Sequence, residues 1–265
     1  MKRNLLLRVL TGVVFLPVLF FLVRSGSWPY TLLLALIVVL GAWEWWRLAQ
    51  DGAPRSDLAL LVVGALGVFQ GVIDPRPARL GLLLALWLLV LVAVGLWRRD
   101  RDPARRAGRL LLGALYAGLL PAFLVRTRGL PSGAAALYLT YACVFLCDTA
   151  AYAAGRRWGR RPLWPRISPH KTWEGAVGGL LGALATALVA QLTFADFLPL
   201  AGALGFGAIV GSWGQLGDLV ESSWKRAAGI KDSSMLIPGH GGVLDRFDNL
   251  HFVAPVLYIY LTIFT

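Results

Sequence analysis

Long apolar stretches, separated by short polar segments, follow one another along this chain of 265 residues. About 20 consecutive apolar residues suffice to cross a bilayer as a helix. The candidate stretches cover roughly residues 5–23, 29–46, 58–73, 80–97, 109–125, 133–153, 175–194, 198–217 and 252–264. The third and the last are short, and the segments between the stretches leave no soluble domain of useful size. The pattern predicts an all-α integral membrane protein with about nine transmembrane helices in one polytopic domain, 1–265.

The composition agrees with a membrane protein and adds a charge bias. Hydrophobic residues make up 57% of the chain and charged residues 15%, and the mean hydropathy is +0.66, far above that of an ordinary soluble domain. Basic residues outnumber acidic ones by 26 to 14, which gives a formal net charge of +12. In a membrane chain this excess indicates positive cytoplasmic loops and contact with anionic membrane lipids. Nucleic acid is not an expected partner.

The positions of Lys and Arg between the stretches predict the orientation of the chain, because cytoplasmic loops are enriched in these residues. With a cytoplasmic N-terminus, 21 of the 26 basic residues fall on the cytoplasmic side and 5 on the other. One missed helix would invert every later loop, so this split supports nine spans. The same topology places the two most polar loops, 154–174 and 218–251, on the cytoplasmic side of the membrane.

The second of these loops begins with acids and bases at helical spacing. Asp218 stands at the edge of an apolar stretch, where an ionisable residue is functional by default. If the helix continues, Asp218, Glu221, Ser222 and Lys225 share one face. Taken alone, Lys225 and the following Arg226 are also typical of a positive anchor at the membrane surface.

Further along the same loop, glycines surround a histidine and an Asp-Arg-x-Asp sequence follows. The residues are Gly239, His240, Gly241, Gly242, Asp245, Arg246 and Asp248. Carboxylates suit Mg²⁺, which usually binds one or two of them together with substrate phosphates. Nearby cations, among them Lys231, suit a triphosphate, and glycines let backbone N–H groups approach a phosphate. The loop predicts a phosphate and metal site with Asp218, Asp245 and Asp248 as metal ligands.

The first polar loop offers a second group of candidates. Asp148 lies at the cytoplasmic end of its apolar stretch, so the argument made for Asp218 applies to it. The segment from Ser168 to Gly175 has Pro and Gly on either side of a cationic centre at Lys171, which fits an ordered loop entering the next helix. A plain interfacial turn with a Trp residue is an equally good interpretation.

At these residues the sequence resembles the phosphatidate cytidylyltransferase family, also called CDP-diacylglycerol synthases. The C-terminal motif of that family is matched by Ser222, Lys225-Arg226, Lys231-Asp232, Ser234, Pro238, His240-Gly241-Gly242 and Asp245-Arg246-Phe247-Asp248. Its upstream features are matched by Asp148-Thr149, Gly155-Arg156 and the run from Ser168 to Gly175. Trp224 departs from the smaller or less polar residue usual before Lys-Arg, which affects local packing.

The resemblance covers the C-terminal half in detail and implies an activity for it. Residues 131–265 would form a catalytic half behind the N-terminal helices of 1–130. The family joins CTP to phosphatidic acid, which gives CDP-diacylglycerol and pyrophosphate, and its members are commonly homodimers. It implies one or two Mg²⁺ ions at the acids matching Asp218 and Asp245.

The resemblance also implies roles for individual residues. The expected catalytic residues are Lys171, Asp218, Lys225, Arg226 and Asp245. The expected substrate-binding residues are Asp148, Ser168, Ser222, Lys231, His240, Gly241, Gly242 and Arg246.

Three other functions were weighed against this one. A CTP-dependent polyprenol or lipid-alcohol kinase would bind the same nucleotide and transfer its γ-phosphate, but the match from His-Gly-Gly to Asp-Arg-x-Asp favours cytidylyl transfer. A CDP-alcohol phosphatidyltransferase should carry Asp-Gly-x-x-Ala-Arg, whereas Asp51-Gly52 continues with Ala-Pro-Arg. A transporter would place polar residues at mid-bilayer, and here they gather at one interface.

Overall fold

A computed structural model of the chain describes residues 15–48, 54–98, 102–237 and 241–264. The described part is a helical bundle with one small β-hairpin. Its first helices are α1 (Phe15–Ser25), α2 (Ser27–Leu48), α3 (Arg55–Ile73), α4 (Ala78–Arg98), α5 (Pro103–Ala114), α6 (Leu120–Arg128) and α7 (Gly133–Trp158). After them come strands β1 (Pro162–Trp164) and β2 (Ser168–Thr172) and helices α8 (Trp173–Gln191), α9 (Leu200–Ile209), α10 (Gln215–Ala227) and α11 (Leu244–Leu261).

Six helical segments of the described chain are long and apolar enough to cross a membrane, so the protein is a multi-pass membrane protein. They are α2, α3, α4, the unit α5 to α6, α7 and α8. Large apolar side chains cover the outer face of α4, where Leu89 and Leu96 are exposed, as expected of a surface in contact with lipid. Of the remaining predicted stretches, the described part of 5–23 falls on α1, 198–217 on α9 with the start of α10, and 252–264 on α11. Residues 5–14 lie outside the described part of the chain. The count of nine spans stays a prediction.

Two π-helical turns interrupt helices that the hydropathy pattern treats as continuous. Leu115–Leu119 joins α5 to α6, and Val210–Gly214 joins α9 to α10. Such turns add one residue to a helical turn and are frequent at functional sites. The first carries Tyr116, and the second directly precedes α10, which carries Asp218.

The hairpin is a departure from the all-α prediction. The two strands pair antiparallel, with Pro162 opposite Thr172 and Trp164 opposite Ser168. The strands provide backbone partners for each other, and the Thr172 side chain then caps α8 by accepting a hydrogen bond from the Gly175 N–H at 3.1 Å. The ordered loop expected before α8 is therefore a rigid hairpin that presents Lys171.

Helices α7 and α8 pack closely, and small residues make this approach possible. A Cβ atom added at Gly178 would lie 2.4 Å from the Cβ of Ala154, a distance that side chains do not tolerate. Stripes of small residues allow this kind of close packing between membrane helices. The pair connects Asp148 on α7 with the hairpin that precedes α8.

Polar contacts define the two ends of the bundle. At one end, Arg128 donates to the Val23 carbonyl, and Arg126 donates to the Tyr258 hydroxyl. At the other end, Asp57 accepts hydrogen bonds from Arg106 at 2.6 Å and Arg98 at 2.9 Å. Both polar loops lie at this second end, because α7 and α10 end there and α8 and α11 begin there.

Candidate active site

The two polar loops meet at the end of α10. Lys171 Nζ on the hairpin lies 2.5 Å from Asp218 Oδ2, and both side chains are about 30% exposed, at 28% and 31%. Ser222, one turn later, donates its hydroxyl to Asp218 Oδ1 at 3.1 Å. Arg226 donates to the Ile167 carbonyl of the hairpin turn at 3.2 Å. The hairpin is thus fixed against α10 at two places.

A row of buried polar side chains connects three helical segments beneath this contact. The Tyr116 hydroxyl donates to Glu221 Oε2 at 2.8 Å. Lys225 Nζ donates to Glu221 Oε1 at 3.1 Å and to Asp245 Oδ1 at 2.5 Å. Since Lys225 is 7% exposed, it serves here as the shared counter-ion of two buried acids. The sequence pattern places Glu221 on the same helix face as Asp218 but does not predict this buried contact.

The contact between Lys225 and Asp245 shifts the pKa values of both side chains. Burial alone would raise the pKa of the Asp245 carboxyl, but the hydrogen bond and charge of Lys225 outweigh burial and hold that pKa below its usual range. Burial would lower the pKa of the Lys225 ammonium, and the charges of Glu221 and Asp245 reverse this and raise it. Asp245 and Lys225 are therefore both charged at neutral pH.

The second oxygen of Asp245 holds the glycine-containing loop, by which we mean the described residues 231–237 and 241–243 between α10 and α11. Oδ2 accepts hydrogen bonds from the Gly242 N–H at 2.7 Å and the Ser233 N–H at 2.9 Å, and it lies 3.0 Å from the Ser233 hydroxyl oxygen. Gly241 has a φ of 84°, and a Cβ there would lie 2.8 Å from Asp245 Oδ2. The sequence predicted that glycine N–H groups in this loop approach a phosphate. In the structure the Gly242 N–H is bound by a carboxylate of the protein.

A second acid, Glu44 near the end of α2, also contacts this loop. Both of its oxygens accept hydrogen bonds from the segment that contains Ser233 and Leu244. Sequence analysis missed Glu44, although the rule applied to Asp218 would have singled out an acid within the stretch 29–46. No comparable signal marks Tyr116, because a tyrosine in an apolar stretch is an ordinary core residue.

Two cavities lined by both charged and apolar side chains lie beside these contacts and share Asp148. One, of about 340 Å³, is lined by Asp148, Arg246, Asp248 and Asn249 among others. The other, of about 380 Å³, extends from Asp148 to Lys171 and Asp218. The Asn249 side-chain amide donates to both oxygens of Asp148 at 3.0 Å. These contacts fix Asp148 between the two cavities.

An apolar groove of about 860 Å³ continues from the first cavity along α1 and α7. Its walls include Leu16, Leu19, Tyr141 and Phe145, and the same four residues line the cavity that contains Arg246. The site therefore opens on one side to an apolar surface.

The carboxylates offer a partial fit for a metal ion. Within the described ranges, no three side chains among His, Cys, Asp and Glu form a group that could hold a metal by themselves. Burial raises the pKa of the Asp248 carboxyl well above its usual range, and the charges of Asp218 and Glu221 raise it further. A cation would relieve this repulsion. Such a site needs substrate oxygens to complete it, which is the usual arrangement for Mg²⁺.

The predicted site residues divide into three groups. Those that contact one another or line the two cavities are Asp148, Lys171, Asp218, Ser222, Lys225, Gly242, Asp245, Arg246 and Asp248. Outside that group, Ser168 lies on β2, Arg226 on α10 contacts the hairpin, and Lys231 is exposed in the segment after α10. Gly241 lies in the loop beside Asp245, and His240 lies outside the described residues.

Replacing Lys225 tests its function as a buried counter-ion. Lys225→Met would leave Glu221 and Asp245 without their shared cation, and we expect a loss of about 3–5 kcal/mol in stability. The matched control is Arg226→Met at the next, exposed position, where we expect a loss below about 1 kcal/mol. Thermal unfolding in detergent measures both. Equal destabilisation by the two substitutions would contradict the assignment.

Comparison with known proteins places these features in a family. The sequence pattern of the cytidylyltransferase family matches residues 6–264. A phosphatidate cytidylyltransferase of Bacillus subtilis is 36% identical over 270 residues, which cover 97% of this chain and 98% of that protein. Proteins with the same description from Staphylococcus saprophyticus and Staphylococcus aureus are 42% and 43% identical over 173 and 164 residues, or 65% and 62% of each chain. The chain belongs to the cytidylyltransferase family.

Proposed function

We propose that this protein is a phosphatidate cytidylyltransferase. A phosphate oxygen of phosphatidic acid attacks the α-phosphorus of CTP and forms a new P–O bond. The bond from the α-phosphorus to the oxygen that bridges it to the β-phosphate breaks, and pyrophosphate leaves with that electron pair. The products are CDP-diacylglycerol and pyrophosphate.

The observation that supports this proposal most is that an apolar groove runs into a cavity whose walls contain charged side chains. The groove between α1 and α7 suits the acyl chains of a lipid, and the cavity that contains Arg246 suits its phosphate. The second cavity, on the far side of Asp148, contains Lys171 and suits the anionic triphosphate of CTP. A lipid phosphate and a nucleotide can thus meet on either side of one carboxylate.

The chemistry asks for positioning more than for a protein nucleophile. A phosphate monoester has a second pKa of about 6, so the attacking group is largely dianionic at neutral pH and needs no strong general base. Lys171, Arg226, Lys231 and Arg246 are the cations proposed to hold the phosphate oxygens. Lys225 acts differently, since it keeps Asp245 charged and in place.

Mg²⁺ is the proposed cofactor, as one ion or a pair. When bound, it supplies positive charge that stabilises the phosphates in the transition state. Asp218 and Asp248 are the ligands that the carboxylate arrangement favours, with substrate oxygens completing the shell. Both oxygens of Asp245 already accept hydrogen bonds. Asp245 would therefore have to give up one of these contacts to become a third ligand.

Product analysis with labelled nucleotide tests the reaction. Purified protein in detergent, given phosphatidic acid, Mg²⁺ and CTP labelled at the α-phosphate, should make labelled CDP-diacylglycerol and an equal amount of pyrophosphate. CTP labelled at the γ-phosphate should leave the lipid unlabelled. Diacylglycerol is the matched control substrate, because it lacks the attacking phosphate. Lipid labelled only from γ-labelled CTP would replace this proposal with the lipid kinase.

Substitution of Asp218 tests the metal. Asp218→Asn should lower kcat by at least about 100-fold and raise the Mg²⁺ concentration needed for half-maximal activity, because a lost ligand removes transition-state stabilisation. The control is Asp74→Asn at the opposite end of the bundle, where Asp74 pairs with Arg79. Titration of both variants with Mg²⁺ measures the effect. Turnover of Asp218→Asn near that of the unmodified protein would discard this ligand.

The proposed setting is a bacterial inner membrane, with the N-terminus and the active site at the cytoplasmic face. CTP is cytosolic, and the charge distribution between the spans supports the same orientation.

The family resemblance underlies a further proposal, that the protein is a homodimer. Light scattering of the solubilised protein would test its mass, and a monomer would contradict this point alone.

Cysteine labelling tests the orientation in a background with Cys143→Ala and Cys147→Ala. Ser168→Cys and Met235→Cys should react with an impermeant maleimide only from the cytoplasmic face, because both positions lie at the end of the bundle that holds the site. Asp196→Cys, between α8 and α9, is the control for the opposite face. Labelling of the first two positions from opposite faces would overturn the topology.

A further inference from the structure

Glu44 is a completely buried acid in the N-terminal half of the chain. It lies in the last turns of α2, within the sequence Trp43-Glu-Trp-Trp46, and its exposed fraction is 0%. Taking a carboxylate out of water is costly unless hydrogen bonds satisfy it. The hydrogen-bond donors around Glu44 therefore indicate its role in the structure.

Four donors satisfy this carboxylate, and all four belong to the glycine-containing loop or the start of α11. Oε1 accepts from the Ser234 hydroxyl at 2.6 Å and from the Val243 N–H at 2.8 Å. Oε2 accepts from the Leu244 N–H at 2.7 Å and from the Ser233 hydroxyl at 2.8 Å. The two backbone donors stand at the N-terminus of α11, where the helix dipole favours a negative charge.

The loop has no spare room around these contacts. A Cβ atom at Gly242 would lie 2.6 Å from both oxygens of Glu44 and 1.9 Å from the Ser233 hydroxyl. That hydroxyl also lies 3.0 Å from Asp245 Oδ2, so one serine stands between two carboxylates. Glu44 and Asp245 thus hold the loop from two sides.

We infer that Glu44 is a positioning residue for the transfer reaction. It touches no proposed substrate atom, but it fixes the first turn of α11, which presents Asp245, Arg246 and Asp248 to the site. This inference rests on the proposed cytidylyl transfer for its effect on turnover. Its structural content, that Glu44 holds the loop, stands on the hydrogen bonds alone.

Kinetics of Glu44 variants test the effect on turnover. Glu44→Ala leaves the Ser234 hydroxyl and the Val243 and Leu244 N–H groups without their acceptor. A misplaced reactive group can cost about 100-fold, so we expect kcat to fall by about that factor. Glu44→Gln turns an amide NH₂ toward two of the donors and should cost nearly as much. Glu44→Asp keeps the charge but is one methylene shorter, so it should restore part of kcat. The KM for CTP should change less than about threefold in each, since the nucleotide is held by other groups.

The matched control is Asp57→Asn, which alters another buried acid of the same half. Asp57 is 3% exposed, and its carboxylate accepts from Arg98 and Arg106, neither of which belongs to the loop. This variant should lose stability but keep kcat per folded molecule within about twofold of the unmodified protein. It separates a positioning effect from a general loss of folded protein.

Hydrogen–deuterium exchange supplies a readout that does not depend on activity. In Glu44→Ala, amides of residues 241–248 should exchange at least about tenfold faster, whereas Asp57→Asn should leave them unchanged. Unchanged exchange there, or a kcat of Glu44→Ala within twofold of the unmodified protein, would overturn the inference. If the unmodified protein makes no CDP-diacylglycerol, the proposed reaction fails, and exchange alone still decides whether Glu44 holds the loop.

Discussion

The site depends on a single requirement, that acids buried at the end of an apolar bundle must be compensated. Asp245 meets it most fully, because Lys225 binds one oxygen and the Gly242 N–H and Ser233 bind the other. Removing one member of such a set leaves an unpaired charge that costs several kcal/mol. The loop, α10 and α11 are therefore held in one arrangement by electrostatic contacts in addition to apolar packing.

The same requirement explains how both halves of the chain contribute to the site. Tyr116 and Glu44 come from helices that hydropathy describes only as membrane spans, yet each satisfies a polar group of the C-terminal half. The cations that face the cavities, Lys171 and Arg246, lie outside this buried row. Buried charges thus fix the site, and the more accessible ones remain to meet anionic substrates.

Much of the fold and part of the site could be predicted from the sequence, and the reasons are physical. A helix that crosses a membrane needs about 20 apolar residues, so the spans are visible in the pattern. The meeting of Lys171 with Asp218 followed from placing both polar loops on one side. The burial of Lys225 did not follow, because Asp245 becomes a neighbour of Lys225 and Glu221 only when α10 and α11 pack. The same holds for Glu44, whose partners lie about 190 to 200 positions away.

A structure determined with CTP, Mg²⁺ and a phosphatidic acid analogue bound is the most direct measurement of this account. It should show the triphosphate in the cavity between Lys171 and Asp218, with the lipid phosphate on the other side of Asp148 near Arg246. The Glu44 carboxylate should still accept from Ser233 and Ser234. A nucleotide bound away from these two cavities, with the carboxylates unchanged around an empty site, would contradict the account.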